Sequence, residues 1–322
     1  ILNGSLNHTA FKNYSNDLKL SFEKLKLLNT KAEDNSLYYG TVYGTGNVDI
    51  TGPINDITIT ADAKTEKNSE IFIPLNGFEG VEDKEFIRFI NFDESKNKKD
   101  TASQIDLSGI NMDFNFEITE DAYMEIIFDS KAGDIIRGNG KGDLNLVIDT
   151  RGDFNVFGDY TINKGAYNFT LLNVVNKEFN VVPGGVVSWN GDPYQGELNI
   201  EAKYKQRASL GPIALDTAIW IRNPSLKFKK FPTDVILSLD GDLLHPQIGL
   251  DIDIQKEGLG IMQTEVSSFE TEIKNNEQEL NRQVFSLIIL KQFAQRNTNG
   301  LNLGVSAGRS MSELISNQLS YW

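Results

Sequence analysis

The sequence predicts a mainly β protein that ends in one or two amphipathic helices. Three observations predict it. From about Gly40 to Ile254 apolar residues recur at every second position, turn-forming residues interrupt these runs, and from Leu280 the apolar period becomes helical. A period of two sends alternate side chains to opposite faces of a strand, so each run has one apolar and one polar face.

Taken in chain order, Asp17 to Asn29 reads as either a short amphipathic segment or another strand. Ile57, Ile59 and Ala61 alternate with Thr58, Thr60 and Asp62. The stretch 81–100 reads as an insertion, with one helical turn at Phe86, Ile87, Phe89 and Ile90 before the charged run Asp93 to Asp100. Met112, Phe114, Phe116 and Ile118 then alternate with Asp113, Asn115, Glu117 and Thr119, and Met124, Ile126 and Phe128 continue the pattern. Further strands follow at Leu144, Leu146 and Ile148, at Tyr167, Phe169 and Leu171, and at Leu198, Ile200, Ala202 and Tyr204. The last two carry Val235, Leu237 and Leu239, then Ile248, Leu250, Ile252 and Ile254. Gly-Asp steps at Gly142, Gly152 and Gly158, with Gly52-Pro53, Asn76-Gly77, Pro183-Gly184-Gly185 and Asn190 to Pro193, supply the turns, because Gly reaches positive φ and Asp or Asn bonds its own backbone.

Residues 257–279 are polar and mixed, which reads as a linker or a poorly ordered helix start. Leu280, Val284, Leu287, Ile288 and Lys291 mark a helical stripe running to Gln295, and Asn297 to Gly300 stops it. A final helix starts at the capping box Ser310-Met311-Ser312-Glu313, so 280–322 forms a helical region.

The chain has 322 residues, with 31 Lys and Arg against 45 Asp and Glu, a formal charge of −14. An acidic balance argues against a nucleic-acid binder, which needs clustered cations to track phosphates. No apolar run approaches the roughly 20 residues of a membrane-spanning helix. There is no cysteine, which removes disulfides, thiolate metal sites and thiol nucleophiles. Ile1 stands where a start Met would, and no signal core follows, so a mature or partial chain is expected.

No catalytic constellation emerges. Gly304-Val305-Ser306-Ala307-Gly308 matches a nucleophile elbow, but both histidines, His8 and His245, lie upstream of it and no strand–helix alternation surrounds it. Two histidines without an H-E-x-x-H pattern make no zinc site, and Asp240/Asp242 and Asp251/Asp253 fit solvated strand ends better than a calcium loop. Arg151-Gly152-Asp153 matches an adhesion tripeptide that is already explained as a turn, and the glycosylation patterns at Asn7, Asn13 and Asn168 are equally short. The chain is therefore expected not to be an enzyme and to need no cofactor or metal. A sheet with one apolar face must cover it, by folding into a sandwich, closing into a barrel or curling around something greasy. Periodicity alone leaves all three open, with the sandwich foremost.

Gly152 to Phe169, with its Gly158-Asp159-Tyr160 and Lys164-Gly165-Ala166-Tyr167 steps, resembles the core of the TamB family's C-terminal domain. Phe179 to Val187, then Ser188-Trp189-Asn190-Gly191-Asp192-Pro193, is similar to that family's strand, Gly-Gly turn and W-x-G-D-P segment. Leu198 to Tyr204, the serine-rich stretch Ser312 to Leu319, and the repeat-like Gly44 to Gly52 extend the resemblance from about residue 40 to the end. Richness in Asn and Lys resembles Bacteroidota members of the family.

The resemblance implies an elongated, curled, open β-sheet groove of β-taco type over 1–256, apolar inside, followed by the C-terminal helices. It implies a periplasmic bridge, anchored in the inner membrane by an N-terminal segment absent from this chain and reaching the outer membrane. Its ligand would be phospholipid. Its partner would be a BamA-like barrel of TamA or TamL type with POTRA domains, and outer-membrane proteins would be possible clients. The groove lining expected on that reading is Ile57, Ile59, Met112, Phe114, Phe116, Ile118, Met124, Ile126, Phe128, Leu144, Leu146, Ile148, Tyr167, Phe169, Leu171, Leu198, Ile200, Tyr204, Val235, Leu237, Leu239, Leu250 and Ile252. The alternative is a secreted structural or adhesive β-sandwich or solenoid with a closed core.

Overall fold

The computed structural model describes residues 1–34, 38–75, 109–129, 132–149, 154–171, 175–215 and 218–296. The insertion expected at 81–100, the Arg151-Gly152-Asp153 tripeptide, the Gly304 to Gly308 loop and the helix from Ser310 lie outside the described residues.

Among the described residues fourteen strands form one sheet: β1 (Leu2–Thr9), β2 (Lys12–Thr30), β3 (Tyr39–Pro53), β4 (Ile57–Thr65), β5 (Glu70–Pro74), β6 (Ile110–Ile118), β7 (Tyr123–Asp129), β8 (Asp134–Ile148), β9 (Phe154–Leu171), β10 (Val175–Val181), β11 (Gly185–Gly191), β12 (Glu197–Ser209), β13 (Lys230–Asp242) and β14 (Gln247–Ile254). Between β12 and β13 lies the short helix α1 (Ala218–Arg222), and after β14 come α2 (Gln263–Lys274) and α3 (Glu277–Phe285), the latter extended by a π-helical turn, Ser286–Leu290. The ambiguous segment Asp17 to Asn29 falls inside strand β2.

The pairings β3–β4–β6–β8–β7–β5 close formally into a ring. The registers show what that ring encloses. From Gly44↔Thr65 to Thr41↔Glu70, β3 advances three residues while its partner advances five. The same holds for β8 between Gly142↔Ile118 and Asn139↔Tyr123. The parallel pairs Ile57↔Ile110 and Glu70↔Tyr123 keep an unchanged offset across the gap. Thus β4 and β5 are one strand interrupted by a bulge, as are β6 and β7, and the ring surrounds the interruption rather than a lumen. β10 and β11 are likewise two halves of one strand, because both pair with β9 on one side and β12 on the other.

These interruptions align. Register shifts on β2 near Phe22 to Leu28, the breaks after Thr65 and Ile118, the shift between Asn139 and Gly140, and the Pro183-Gly184 turn succeed one another from strand to strand. A bulge bends its strand and strengthens its twist, so a row of them creases the sheet. Apolar side chains stay on the inner face on both sides of the crease: Ala61 and Ala63 before it and Ile71 and Ile73 after it, or Phe114 and Phe116 before and Met124 and Ile126 after. The mainly β, open-groove class expected from the resemblance is therefore the fold observed.

Side-chain hydroxyls and amides replace the ladder bonds lost at the crease. Ser69 Oγ accepts the Tyr43 N–H at 3.1 Å and donates to the Glu66 carbonyl at 2.6 Å. Thr65 Oγ1 accepts the Thr119 N–H at 2.9 Å, Thr45 Oγ1 accepts the Lys24 N–H at 3.0 Å, and Asn139 Nδ2 donates to the Ala122 carbonyl at 3.1 Å. Gly140 is required beside them, because a Cβ there would come within 2.8 Å of the Tyr160 ring.

The C-terminal elements differ from expectation in two ways. The polar stretch 257–279 holds a full helix, α2, whose Val266, Phe269 and Ile273 are completely buried. Three apolar residues at i, i+3 and i+7 suffice for a stripe even when the segment's average is polar. The second helix is capped at Asn276, whose side chain accepts the Glu279 N–H, and so begins before Leu280. It does not reach Gln295: Lys291 takes φ 55° after the π-turn, and Gln283 exchanges hydrogen bonds with both backbone groups of Ala294, folding the chain back. Phe293 returns edge-on to Phe269 at 5.5 Å.

Ser69→Ala removes the acceptor for a part-buried N–H in the crease, so unfolding by urea should show a loss of about 1–3 kcal/mol. A change of only a few tenths would mean the crease does not depend on these hydroxyls.

Candidate functional site: an apolar trough

Folding along the crease turns the inner face into a trough, and in its middle stretch the trough encloses an apolar cavity of about 320 Å³. Leu27, Leu28 and Val42 enter from β2 and β3, Phe114, Phe116, Leu144 and Leu146 from one side of the crease, and Ile71, Ile73 and Met124 from the other. Phe154, Val156 and Tyr160 of β9 complete the wall. Phe114 and Phe116 meet edge-on at 6.2 Å. The one acidic lining residue, Glu70, has an exposed side chain.

One end of the cavity is built by Trp189, Pro193 and Tyr194. The Trp189 Nε1–H donates to the Pro193 carbonyl at 3.1 Å, Asp192 Oδ1 accepts the Tyr194 N–H at 2.9 Å, and Gly191 sits at φ 136°. The W-x-G-D-P segment is thus a self-bonded turn that presses three rings against the trough. Gly196 behind it leaves no room for a side chain, since a Cβ would lie 2.8 Å from the indole nitrogen.

The expected lining residues separate into groups. Phe114, Phe116, Ile118, Met124, Leu144 and Leu146 line the cavity. Ile57, Ile59, Met112 and Ile148 are half-buried; Ile59, Met112 and Ile148 stand side by side across three strands and extend the apolar face beyond the cavity. Ile126, Phe128, Tyr167 and Phe169 are buried in the sheet's own core, where Phe128–Tyr167, Tyr167–Phe169 and Phe169–Phe179 make edge contacts at 5.9–6.4 Å. Leu198, Ile200, Val235, Leu237, Leu239 and Ile252 are buried in the cluster shared with α2 and α3, and Tyr204 and Leu250 border it. Leu171 closes β9, pairing with Val175. The first group alone faces an opening; beyond Trp189 the protein's own helices occupy the trough. Period two identifies the inner face but not what covers it, and it also passes over Leu27 and Leu28 at the bulges of β2 and Tyr194 in the turn after β11.

Burial disfavours the charged form of the ionisable groups on this face. Tyr123 is pushed up to about 12, first by burial and then by its hydrogen bond to Glu125 at 2.5 Å, and burial also raises Tyr160. Asp134, buried beside Tyr167, is pushed up to about 6 by burial, against the opposing effect of the Tyr167 hydroxyl. Among the described residues no group of three potential metal ligands occurs.

A long apolar trough creased along a row of bulges and ended by a W-x-G-D-P turn invites comparison with known families. The model of the TamB C-terminal domain matches residues 1–321. The chain belongs to the TamB family. A comparison with the curated proteins finds no match. TamB proteins act in outer-membrane assembly and lipid transport, in the cell envelope and with outer-membrane partners. Among the described residues of this TamB chain no helix is long and apolar enough to cross a membrane.

Asp134 links stability to pH. Its folded pKa lies above its ordinary value of 3.8, so between about pH 4 and 6 the folded state holds a proton that the unfolded chain has released. Stability should be fullest below pH 4 and fall as pH rises through 6, by about 3 kcal/mol from this group. Asp134→Asn should raise stability at pH 7 and flatten that decline. Equal pH dependence in both proteins would contradict the assignment.

Proposed function

We propose that this TamB domain holds phospholipid acyl chains in its open trough and passes them along the sheet between inner and outer membranes. The observation that carries the reading is the apolar cavity itself, which has open surroundings and a lining that demands nothing of a guest except that it be greasy. Burial of each methylene gains about 0.8 kcal/mol, so a hydrocarbon tail is held without specific contacts and can slide between near-equivalent positions. From β2 to the β10–β11 row the trough runs roughly 29 Å at about 4.8 Å per strand. One leaflet's acyl chains span about 15 Å, so the trough exceeds them. The polar outer face keeps the bridge in water, and a headgroup stays at the open side. No reaction is involved: the domain binds and conducts, and it is not an enzyme.

The resemblance supplies the rest of the proposal. The domain works in the periplasm with a BamA-like barrel through its POTRA domains, is tethered to the inner membrane by an N-terminal segment, and supports assembly of outer-membrane proteins.

Lipid extraction and mass spectrometry of the purified chain test the reading. Wild type should carry phospholipid, whereas a closed-core adhesive protein would carry none. Phe114→Glu should lower bound lipid at least about tenfold while leaving the circular dichroism spectrum unchanged, because a carboxylate in a half-open trough repels hydrocarbon but still reaches water. From the sequence, Phe169 would be expected to tolerate the same change. The structure alters that expectation: Phe169 is 2% exposed between Tyr167 and Phe179, so a charge there unfolds the sheet. Wild-type lipid content in a folded Phe114→Glu protein would refute the trough as the binding site.

A further inference from the structure

The connection between β12 and β13 carries a surface unlike the rest of the molecule. Its inner side is built into the core: Leu210 and Ile213 are completely buried and Ile219 nearly so. Two hydrogen bonds hold its first part: the Leu215 N–H donates to the Glu265 carboxylate at 3.2 Å and the Arg296 N–H to the Pro212 carbonyl at 3.0 Å. Its outer side presents Ile221 at 81% exposure, Phe228 at 78% and Leu215 at 48%. Downstream, the buried Ile219 and the Ser209 hydroxyl's bond to the Lys227 carbonyl at 2.6 Å anchor the segments that carry Ile221 and Phe228, and large apolar side chains exposed on anchored segments mark an interaction site.

The charges around them are the second, independent observation. The chain as a whole is at −14, yet residues 205–230 hold six cations, Lys205, Arg207, Arg222, Lys227, Lys229 and Lys230, against Asp216 alone. Arg222, Lys227, Lys229 and Lys230 are exposed. None of Arg207, Lys227, Lys229 and Lys230 forms an ion pair with a described residue. Lys227 lies over the Phe228 ring at 5.8 Å, so cation and apolar tip share one surface.

The geometry points to a membrane-contact site: the β12–β13 connection docks on an anionic bilayer, with Ile221 and Phe228 entering the interface and the lysines meeting lipid phosphates. A bilayer surface satisfies both features at once, since apolar tips enter the acyl boundary while cations stay at headgroup level. The site is separate from the cavity, so it goes beyond the trough reading and does not depend on it.

Flotation of the purified chain with vesicles tests the inference. Wild type should float with vesicles of equal parts phosphatidylethanolamine and phosphatidylglycerol, less with phosphatidylcholine alone, and less again as salt rises. Lys227→Gln/Lys229→Gln/Lys230→Gln should weaken partitioning about a hundredfold, at about fivefold per charge. Ile221→Ser/Phe228→Ser should also lose flotation, while both variants keep the wild-type content of extractable lipid. Absence of wild-type flotation, or wild-type flotation by either variant, would overturn the inference and leave the trough untouched. Flotation that persists in a chain carrying no extractable lipid would support the docking site while removing the trough reading.

Discussion

A sheet that is greasy on one side must have that side covered, and the rest of this molecule follows from where the cover comes from. Near its C-terminal end the cover is protein: α2, α3 and the returning Phe293 bury the inner faces of the last strands. In the middle the two halves of the same strands face each other across the crease and leave a cavity between them. At the N-terminal end β1 is exposed along its whole length. One surface thus passes from sealed to open along its length, and the open part is where a guest molecule can complete it.

The crease makes that arrangement possible. A continuous ladder resists sharp bending, because each strand would have to sacrifice hydrogen bonds with both neighbours. Here the bulges lie in line and local hydroxyls from Thr45, Thr65 and Ser69 take up the released backbone groups, so the bend leaves few buried polar groups unmet. The apparent six-strand ring is a by-product of this. Its members are halves of interrupted strands that keep their registers on either side of the break.

Much of this was legible in the sequence, for a physical reason. A strand's alternation is written in its own residues, so Phe114, Phe116, Leu144 and Leu146 could be assigned to the inner face directly. Leu198 and Leu237 show the same alternation, yet they are buried in the cluster that residues of α2 and α3 complete, and no property of those strands reveals it. The strand at Asp17 to Asn29 was ambiguous because its bulges and the positive φ of Lys24 break the alternation. Helix α2 was hidden by its polar average, although its three apolar residues are correctly spaced. The W-x-G-D-P segment was recognisable as a family feature, but its role as the end wall required the Trp189–Pro193 bond.

The central claim is that the inner face is open to hydrocarbon on one side of Trp189 and closed by protein on the other. Photocrosslinking groups placed singly at Leu146 and at Leu237 in cells test it most directly. Phospholipid adducts at Leu146 and none at Leu237, with both proteins folded, are the result this structure predicts. Equal lipid labelling at the two positions, or none at Leu146, would contradict it.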